Sequence, residues 1–278
     1  AKNCHKTTFV WIDGDHRARY DHPNCIFLKY FSYQSESKSN ELILPGDLKQ
    51  DLVYAYLDGK LQIKEKEEKP SVGFDGIAIY PHFKLAMTIG RNILQKLKYE
   101  TIRSPFEGDP VIPFLLKRKR LLDQLQFTNN ITTNFTIRNS FAPGTIGGQE
   151  IARLEFINKI LKNDYTFCYR GAANYSLRFY ETLCLGRIPL FINTDCKLPF
   201  EDQVNWQDVC IWVEENELPR MSEIILDVHK SMTPSQFIEK QTYCRELWLK
   251  YFSKEGFYNQ FHSHLKNNYL NSETGAST

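Results

Sequence analysis

The sequence predicts an α/β protein in which short apolar strands alternate with amphipathic helices. The clearest evidence is the segment 165–193, where an apolar run, a short Arg-Gly loop, an amphipathic stretch and a second apolar run follow one another. That order predicts a strand, a loop, a helix and a second strand, which together form one βαβ unit. A similar alternation continues on both sides of it, and 278 residues suffice for one large domain or two small ones.

The amino-terminal part predicts a small lobe. Apolar runs predict three strands, at 7–13, 26–31 and 41–44, and a short helix at 50–57. The segment 60–69 is dense in lysine and glutamate and ends at Pro70, so we interpret it as a linker rather than as a solvated helix face. The linker indicates two lobes, and the first of them, 1–68, is small for a complete Rossmann lobe.

Residues 69–232 predict a larger α/β lobe. Strands are expected at 71–74, 165–169, 188–192 and 209–213, and helices at 83–97, 150–161, 176–185 and 220–230. We interpret Asp75-Gly76 as a turn that ends the first of these strands, and 128–149 as strand fragments with loop. The basic run Lys117–Arg120 predicts a solvated helix face, with a phosphate-facing patch as the alternative. Residues 233–278, which include a helix at 234–252, are expected to pack back across both lobes.

The composition narrows the class of protein. The net charge of +2 argues against a nucleic-acid partner, because it provides no overall basic field. Seven cysteines, an odd number without a Cys-x-x-Cys pair, argue against a disulfide framework or a zinc site. No stretch approaches the ~20 apolar residues of a transmembrane helix, and no signal peptide is visible. We therefore expect a cytoplasmic protein, peripheral to a membrane at most, with a secretory-pathway lumen as the alternative if the chain is a fragment.

Polar residues gather at the loop and the first helical turns of the segment 165–193. In parallel sheets, phosphate-bearing ligands bind where the carboxyl ends of strands face helix N-termini. Arg170 on the loop and Arg178 on the helix can both donate forked hydrogen bonds to pyrophosphate oxygens. Backbone donors around Gly171 would add to this anion site, and Ser176 is a natural N-cap.

Glu181 lies one turn further into the same helix and can accept hydrogen bonds from both hydroxyls of a ribose. The competing interpretation is a surface ion pair with Arg178, three residues away, which would contribute on the order of 0–1 kcal/mol. The set of residues as a whole favours a ligand site over a salt-bridged surface.

Four motifs occur in a fixed order along this part of the chain. They are Tyr-Thr-Phe-Cys-Tyr-Arg-Gly at 165–171, Tyr-Ser-Leu-Arg-Phe-Tyr-Glu at 175–181, Leu-Gly-Arg-Ile-Pro-Leu-Phe-Ile at 185–192, and Leu-Pro-Phe followed by Trp at 198–206. Their order and spacing from Tyr165 to Glu217 resemble the donor-binding half of exostosin-like glycosyltransferases, glycosyltransferase family 47. The resemblance is looser over 69–164 and weak over 1–68.

The resemblance implies a GT-B fold of two Rossmann-type lobes, with a reduced acceptor-side lobe at 1–68 and a nucleotide-sugar donor lobe at 69–232. It also implies inverting transfer from a nucleotide sugar, commonly a UDP-sugar, to a carbohydrate or glycoconjugate acceptor, without a metal or other cofactor. By position, Arg170 and Arg178 would hold the diphosphate, Ser176 would contact it, and Glu181 would bind the ribose. Ala173 stands where many retaining GT-B enzymes carry a second glutamate, which favours inversion.

Asn193 and Asp195 follow the second strand of the βαβ unit. The resemblance places them near the base or the sugar of the donor. The type of residue at these positions is equally compatible with a role as turn formers.

Inverting transfer also needs a base that deprotonates the acceptor hydroxyl, and we expect it on the other lobe. The candidates are Asp13 and Asp15, in the sequence Asp-Gly-Asp-His at the end of the first strand, with Asp75 as the second choice. A turn explains the same cluster without catalysis. Arg170 is the further catalytic candidate, because it can stabilise charge on the departing diphosphate.

Two other functions stay open at this point. A GDP-sugar fucosyltransferase-like enzyme also has a glutamate-bearing helix followed by a Gly-x-Ile/Val-Pro strand. A non-catalytic module that binds a nucleotide sugar or a glycan is compatible with the small first lobe. The Arg-Gly loop and the Leu-Pro-Phe motif favour the exostosin type over both.

Overall fold

Two parallel β-sheets form the framework of the protein in its computed structural model. The structure describes residues 7–14, 20, 22–46, 50–79, 82–102, 110–138 and 146–270. In the described part, both sheets are all-parallel and helices follow most of the strands, so the α/β class predicted from the sequence is confirmed.

The smaller sheet has three strands in the order β1-β2-β3. They are β1 (Thr8–Ile12), β2 (Cys25–Lys29) and β3 (Glu41–Ile43), as the apolar runs predicted. Ile26, Phe27 and Leu28 are buried in the central strand. This burial on both faces is typical of a parallel strand.

A short helix and an extended segment connect the two sheets. Helix α1 (Leu52–Tyr56) begins at Asp51, whose carboxylate accepts a hydrogen bond from the Val53 amide at 3.0 Å. Residues 60–67 have no regular secondary structure, which agrees with the predicted linker. The linker is nevertheless fixed in place, because the Lys64 ammonium lies 2.9 Å from the buried carboxylate of Asp164. Where the boundary between two domains falls stays a prediction.

The larger sheet has five strands in the order β5-β4-β6-β7-β8. The strands are β4 (Ser71–Ile77), β5 (Thr132–Arg138), β6 (Tyr165–Cys168), β7 (Ile188–Asn193) and β8 (Ile211–Glu214). The helices of this unit are α2 (His82–Thr101), α3 (Phe114–Gln126), α4 (Ile146–Leu161), α5 (Leu177–Cys184), α6 (Trp206–Val209) and α7 (Met221–Ser231). The strand order reverses between β4 and β6, and α/β sheets bind ligands at the carboxyl ends of strands at such a switch point.

The predicted βαβ unit is confirmed as β6, α5 and β7. Helix α5 ends before Gly186, which adopts the left-handed conformation with φ +60° that commonly stops a helix. Leu177, the first residue of α5, is 42% exposed and lies outside the core. The face that α5 turns towards the sheet is centred on Phe179 and Leu183 instead.

The turn predicted at Asp75-Gly76 is also wrong. Both residues lie inside β4, where they pair in register with Thr136 and Ile137 of β5. The local turn preference is overridden by the neighbouring strand, which supplies hydrogen bonds that a short sequence window cannot reveal. As a consequence, Asp75 and Gly76 reach the carboxyl end of the sheet.

The carboxyl-terminal helices pack across both units, as predicted. Helix α8 (Pro234–Tyr251) packs on α5 and buries Phe237 and Trp248 in the core of the larger unit. The next helix, α9 (Lys254–Leu265), packs Phe257 and Phe261 against the smaller sheet. Among the described helices, none combines the length and the apolar composition needed to cross a bilayer.

Candidate functional site

A cavity of about 590 Å³ opens at the switch point between β4 and β6. Its walls come from the carboxyl end of β4, from α3 and α4, and from the segment that leads into α5. Four predicted site residues line it: Gly171, Ser176, Arg178 and Glu181. Asp75 lines it as well, because β4 continues through the position where the sequence predicted a turn.

Arg178 is the central cation of this cavity. Its guanidinium lies 4.6 Å from the ring centre of Phe74 and 5.8 Å from that of Phe156. One terminal nitrogen donates to the carbonyl oxygen of Asp75 at 2.8 Å, whereas the buried Nε–H has no hydrogen-bond partner. Burial lowers the pKa of Arg178 from its ordinary value. Its surroundings therefore leave a donor unused.

Arg118 of α3 is a site residue that the sequence analysis did not identify. It is buried and donates to the carbonyl oxygens of Ile77 at 2.7 Å and Arg170 at 2.6 Å, which ties together the ends of β4 and β6. Its Nε–H is also buried without a partner. Burial lowers the pKa of Arg118 to about 9, and repulsion by the nearby Arg178 contributes to the same shift.

The predicted solvated face at Lys117–Arg120 is thus wrong for Arg118 and right for its neighbours. Lys117 and Lys119 are partly exposed and form ion pairs with Glu215 and Asp123. The helical periodicity of α3 could have indicated that Arg118 is buried. It shares a face with the buried residues Leu121, Leu122 and Leu125.

The arginines that line the cavity differ in whether a carboxylate is paired with them. Arg138 binds both Asp75 and Glu155, and Arg153 donates to Glu181 at 2.6 Å. In the part of the chain that the structure describes, neither Arg118 nor Arg178 forms an ion pair with a carboxylate. Two neighbouring buried cations repel each other and are costly to desolvate, so an anion between them would stabilise both.

Glu181 projects from α5 into the same cavity. The surface ion pair with Arg178 that the sequence allowed is not formed, because the partner of Glu181 is Arg153 of α4. The salt bridge occupies Oε1 of the carboxylate, whose side chain is 26% exposed. A partly exposed, oriented carboxylate of this kind can accept hydrogen bonds from hydroxyl groups of a ligand.

The structure agrees with only some of the contacts predicted for the loop before α5. Ser176 is the N-cap residue, but its side chain makes no capping hydrogen bond. The amide of Gly171 donates to the carbonyl oxygen of Tyr175 at 3.0 Å, so the backbone donor predicted there is engaged within the loop. Apart from its chain neighbours, no atom of the described residues lies closer than 3.9 Å to the position of a Cβ at Gly171.

Arg170 points away from the cavity. Its guanidinium stacks over the ring of Tyr33 at 5.7 Å, donates to the Tyr33 hydroxyl at 3.0 Å, and donates to the Ala172 carbonyl at 2.9 Å. The structure therefore does not bring Arg170 and Arg178 together. Tyr33 precedes the larger unit by far in sequence, so no local pattern indicates this contact.

Asn193 and Asp195 act as turn residues in the structure. The side-chain Nδ2 of Asn193 donates to the Glu214 carboxylate at 2.8 Å, and its side-chain Oδ1 accepts from the backbone amide of Cys196 at 2.9 Å. Asp195 has φ +58°, and its carboxylate accepts from the amide and the hydroxyl of Ser35. Both residues thus brace the segment after β7, and neither lines the cavity.

The structure places the candidate bases differently. Asp13 is exposed at the end of β1 and does not line the cavity, and Asp15 lies outside the described residues. Asp75 lines the cavity, but both of its carboxylate oxygens are bound by Arg138. The identity of a base therefore stays a prediction.

The parallel sheet, whose switch point carries two arginines without a carboxylate partner among the described residues, places the protein in the class of α/β proteins that bind ligands at the carboxyl edge of the sheet. The model of the exostosin GT47 domain matches residues 31–228, well over half of the chain, and the chain belongs to this family. The resemblance inferred from residues 165–217 is confirmed. The match also begins inside 1–68, where the sequence analysis expected only weak similarity.

Curated relatives align over shorter segments. Exostosin-1 of Drosophila melanogaster is 32% identical over 95 residues, which cover 34% of this chain and 12% of the relative. A probable β-1,4-xylosyltransferase, IRX10L of Arabidopsis thaliana, is 32% identical over 77 residues, covering 28% of this chain and 18% of the relative. A probable glucuronosyltransferase of Oryza sativa subsp. japonica is 32% identical over 77 residues, covering 28% and 17%. The segments that align therefore cover less than a fifth of the length of these relatives.

Proposed function

We propose that this chain binds a UDP-sugar and transfers the sugar to a glycan acceptor. The observation that carries the proposal is the pair Arg118 and Arg178, two buried guanidinium groups without a carboxylate partner among the described residues. A nucleotide diphosphate supplies the missing negative charge in a form that guanidinium groups bind well. The relatives named as xylosyl- and glucuronosyltransferases support the reaction class.

The chemistry of the cavity walls supports a position for the proposed donor. In this proposal the diphosphate lies against Arg118 and Arg178, in the cavity that Ser176 also lines. The ribose lies at Glu181, whose orientation is held by Arg153. Arg170, Asn193 and Asp195 are left out of the donor contacts, since their side chains are engaged outside the cavity.

The reaction that we propose is a single displacement. The acceptor oxygen forms a bond to the anomeric carbon, the bond from that carbon to the diphosphate breaks, and the hydroxyl proton passes to a base. Arg118 and Arg178 stabilise the negative charge that develops on the departing UDP, and this allows transfer without a metal. Inversion is supported by Ala173, a buried cavity residue at a position where a retaining enzyme would carry a carboxylate.

Ligand titrations test the proposed function. We expect UDP to bind in calorimetry and to raise the melting temperature, because it binds only the folded state. GDP is the comparison for a fucosyltransferase-like enzyme, and hydrolysis of UDP-sugars in EDTA tests metal-independent chemistry. Tighter binding of GDP would contradict the UDP assignment. UDP binding without hydrolysis or transfer, for any of a panel of UDP-sugars, would favour the non-catalytic module.

Replacing Glu181 by alanine should lower the affinity for UDP about tenfold, since hydrogen bonds to a charged group contribute roughly 1.5–3 kcal/mol. The affinity for 2′,3′-dideoxy-UDP, which lacks both ribose hydroxyls, should change little. Glu223→Ala, which removes an exposed carboxylate paired with Arg220, is the matched control. An equal loss of affinity for both nucleotides in Glu181→Ala would remove the ribose assignment.

Replacing Gly76 by alanine should also weaken UDP binding, through a steric effect on Arg178. A Cβ at Gly76 would lie 2.5 Å from a terminal nitrogen of Arg178, so the guanidinium has to move. Gly14→Ala is the matched control, because Gly14 also has a positive φ, +126°, and apart from its chain neighbours no described atom lies within 4 Å of the added Cβ. Calorimetry with UDP measures the effect, and unchanged affinity in Gly76→Ala would show that the position of Arg178 is not critical.

A further inference from the structure

A second cavity, of about 460 Å³, lies where the smaller sheet, the segment 197–202 and α9 meet. Strand β3 with Leu44 forms one wall, and Phe257 and Phe261 of α9 form another. Its lining shares no residue with that of the arginine cavity. It is therefore a separate site, and the proposed donor contacts do not use it.

The lining combines aromatic surface with polar groups of both charges. The rings of Phe257 and Phe261 are nearly parallel, with centres 5.5 Å apart, and the ring of Phe200 lies 6.3 Å from Phe257. All three phenylalanines are only partly buried. The polar residues of the lining include Lys38, Lys197, Glu201, Asp202, His264 and Asn268.

The aromatic and charged groups of the lining favour some classes of ligand over others. A phosphate-bearing ligand is disfavoured by the carboxylates of Glu201 and Asp202, and a wholly apolar ligand would desolvate the charged groups without pairing them. A sugar ring matches both features, since it offers an apolar face to an aromatic side chain and hydroxyls that both donate and accept hydrogen bonds. Because ammonium and carboxylate groups are both present, a neutral sugar fits better than an acidic one.

The wall formed by the segment 197–202 is held in place before any ligand binds. Phe200 has φ +58°, a backbone conformation that is rare for an aromatic residue. Its carbonyl oxygen accepts from the amides of Gln203 and Val204 at 2.9 Å, and the Pro199 carbonyl accepts from the Trp206 indole at 2.9 Å. Strained conformations persist where the surroundings impose them, and they are concentrated at ligand sites.

Residues close together in sequence contribute to the walls of the two cavities or pack against them. Leu44 lines the second cavity, and Gly46 packs against Leu177 and Tyr175, which line the arginine cavity. Two residues of an extended chain span at most about 7 Å. This short segment therefore links the walls of the two cavities.

We propose that the second cavity binds a neutral sugar unit of the acceptor glycan, with Phe261 as its stacking surface. This inference rests on the proposed function for its link to the acceptor. The binding of a saccharide in the cavity is a separate property, which does not require the donor.

Saturation-transfer NMR and calorimetry with cellotetraose and xylotetraose, in the absence of UDP, test the site. We expect one of these neutral tetrasaccharides to bind, and Phe261→Ala to weaken its binding about tenfold. Asp202→Ala changes an exposed residue of the lining and should also weaken binding without disturbing the core. Phe127→Ala removes a phenylalanine that is 85% exposed outside the cavity and should have no effect.

Three results would overturn the proposal: no binding of either tetrasaccharide, binding that is unchanged in both cavity variants, or tighter binding of tetragalacturonate. A parallel UDP titration separates this proposal from the proposed function. UDP binding without saccharide binding would reject the second cavity alone. Saccharide binding that responds to the cavity variants, without UDP binding, would support the cavity and reject the proposed donor site.

Discussion

Replacing Arg178 by methionine is expected to weaken UDP binding about 100-fold while the free energy of unfolding stays within about 1 kcal/mol of the wild-type value. The loss of affinity follows from the loss of a charge-assisted hydrogen bond to the diphosphate, which contributes roughly 1.5–3 kcal/mol. Methionine loses the hydrogen bond to the Asp75 carbonyl but keeps an apolar stem over Phe74, and we expect this packing to offset most of that loss. The substitution also removes a buried cation that lacks a described carboxylate partner and repels Arg118.

Calorimetry with UDP and urea denaturation measure the two quantities on the same protein. Arg220→Met is the control, because it removes an exposed arginine whose partner, Glu223, lies on the surface of the same region. Unchanged UDP affinity in Arg178→Met would contradict the donor site. A loss of several kcal/mol in unfolding free energy would show instead that Arg178 is mainly structural.

Replacing Arg187 by methionine is expected to have the opposite effect, with a loss of about 3–5 kcal/mol in unfolding free energy and no direct effect on the affinity for UDP. Arg187 is 2% exposed and donates to the carbonyl oxygens of Leu161 at 3.0 Å and Gln62 at 2.7 Å, and to the Gln241 side chain at 3.0 Å. Burial lowers the pKa of Arg187 to about 10. Without the guanidinium, the carbonyl oxygens of Leu161 and Gln62 lose this donor and Gln241 Oε1 keeps only the Lys64 amide, at a cost of roughly 1–3 kcal/mol for each group left unsatisfied.

Urea denaturation measures the stability of this variant, and calorimetry at low temperature measures UDP binding by the folded fraction. Arg187→Lys is the second variant, since it keeps the charge but cannot form the same fork of hydrogen bonds. We expect it to be destabilised as well. A change below about 1 kcal/mol in both variants would contradict the structural role.

The contrast between these two arginines has a topological cause. Both belong to the motifs that resemble the exostosin family, and both are surrounded by protein. Arg178 lies at the carboxyl edge of the sheet, where the switch point opens to a ligand. Arg187 immediately precedes β7 and lies at the opposite edge, where the chain itself provides hydrogen-bond acceptors. The presence of an arginine in one of these motifs therefore does not tell whether it binds a ligand or stabilises the fold.

Much of the candidate site followed from local pattern. The Arg-Gly loop, the helix with Ser176, Arg178 and Glu181, and the second apolar strand are consecutive, so their order already implied a βαβ unit with a polar carboxyl edge. The family match over residues 31–228 confirms the resemblance that these motifs suggested. Local pattern did not identify Arg118 as a site residue, because its role depends on which face of α3 packs on the sheet.

The sequence by itself determined the alternation of strands and helices, the βαβ unit and the family, because periodicity and motif order are properties of neighbouring residues. Only the tertiary structure decided which arginines are available to a ligand. Tyr33 turns Arg170 away, the carbonyl oxygens of Ile77 and Arg170 hold Arg118 at the switch point, and Arg153 rather than Arg178 is the partner of Glu181. The physical reason is that a charged side chain is paired or left unpaired by groups from distant parts of the chain, and the identity of those groups depends on how the sheets and helices pack.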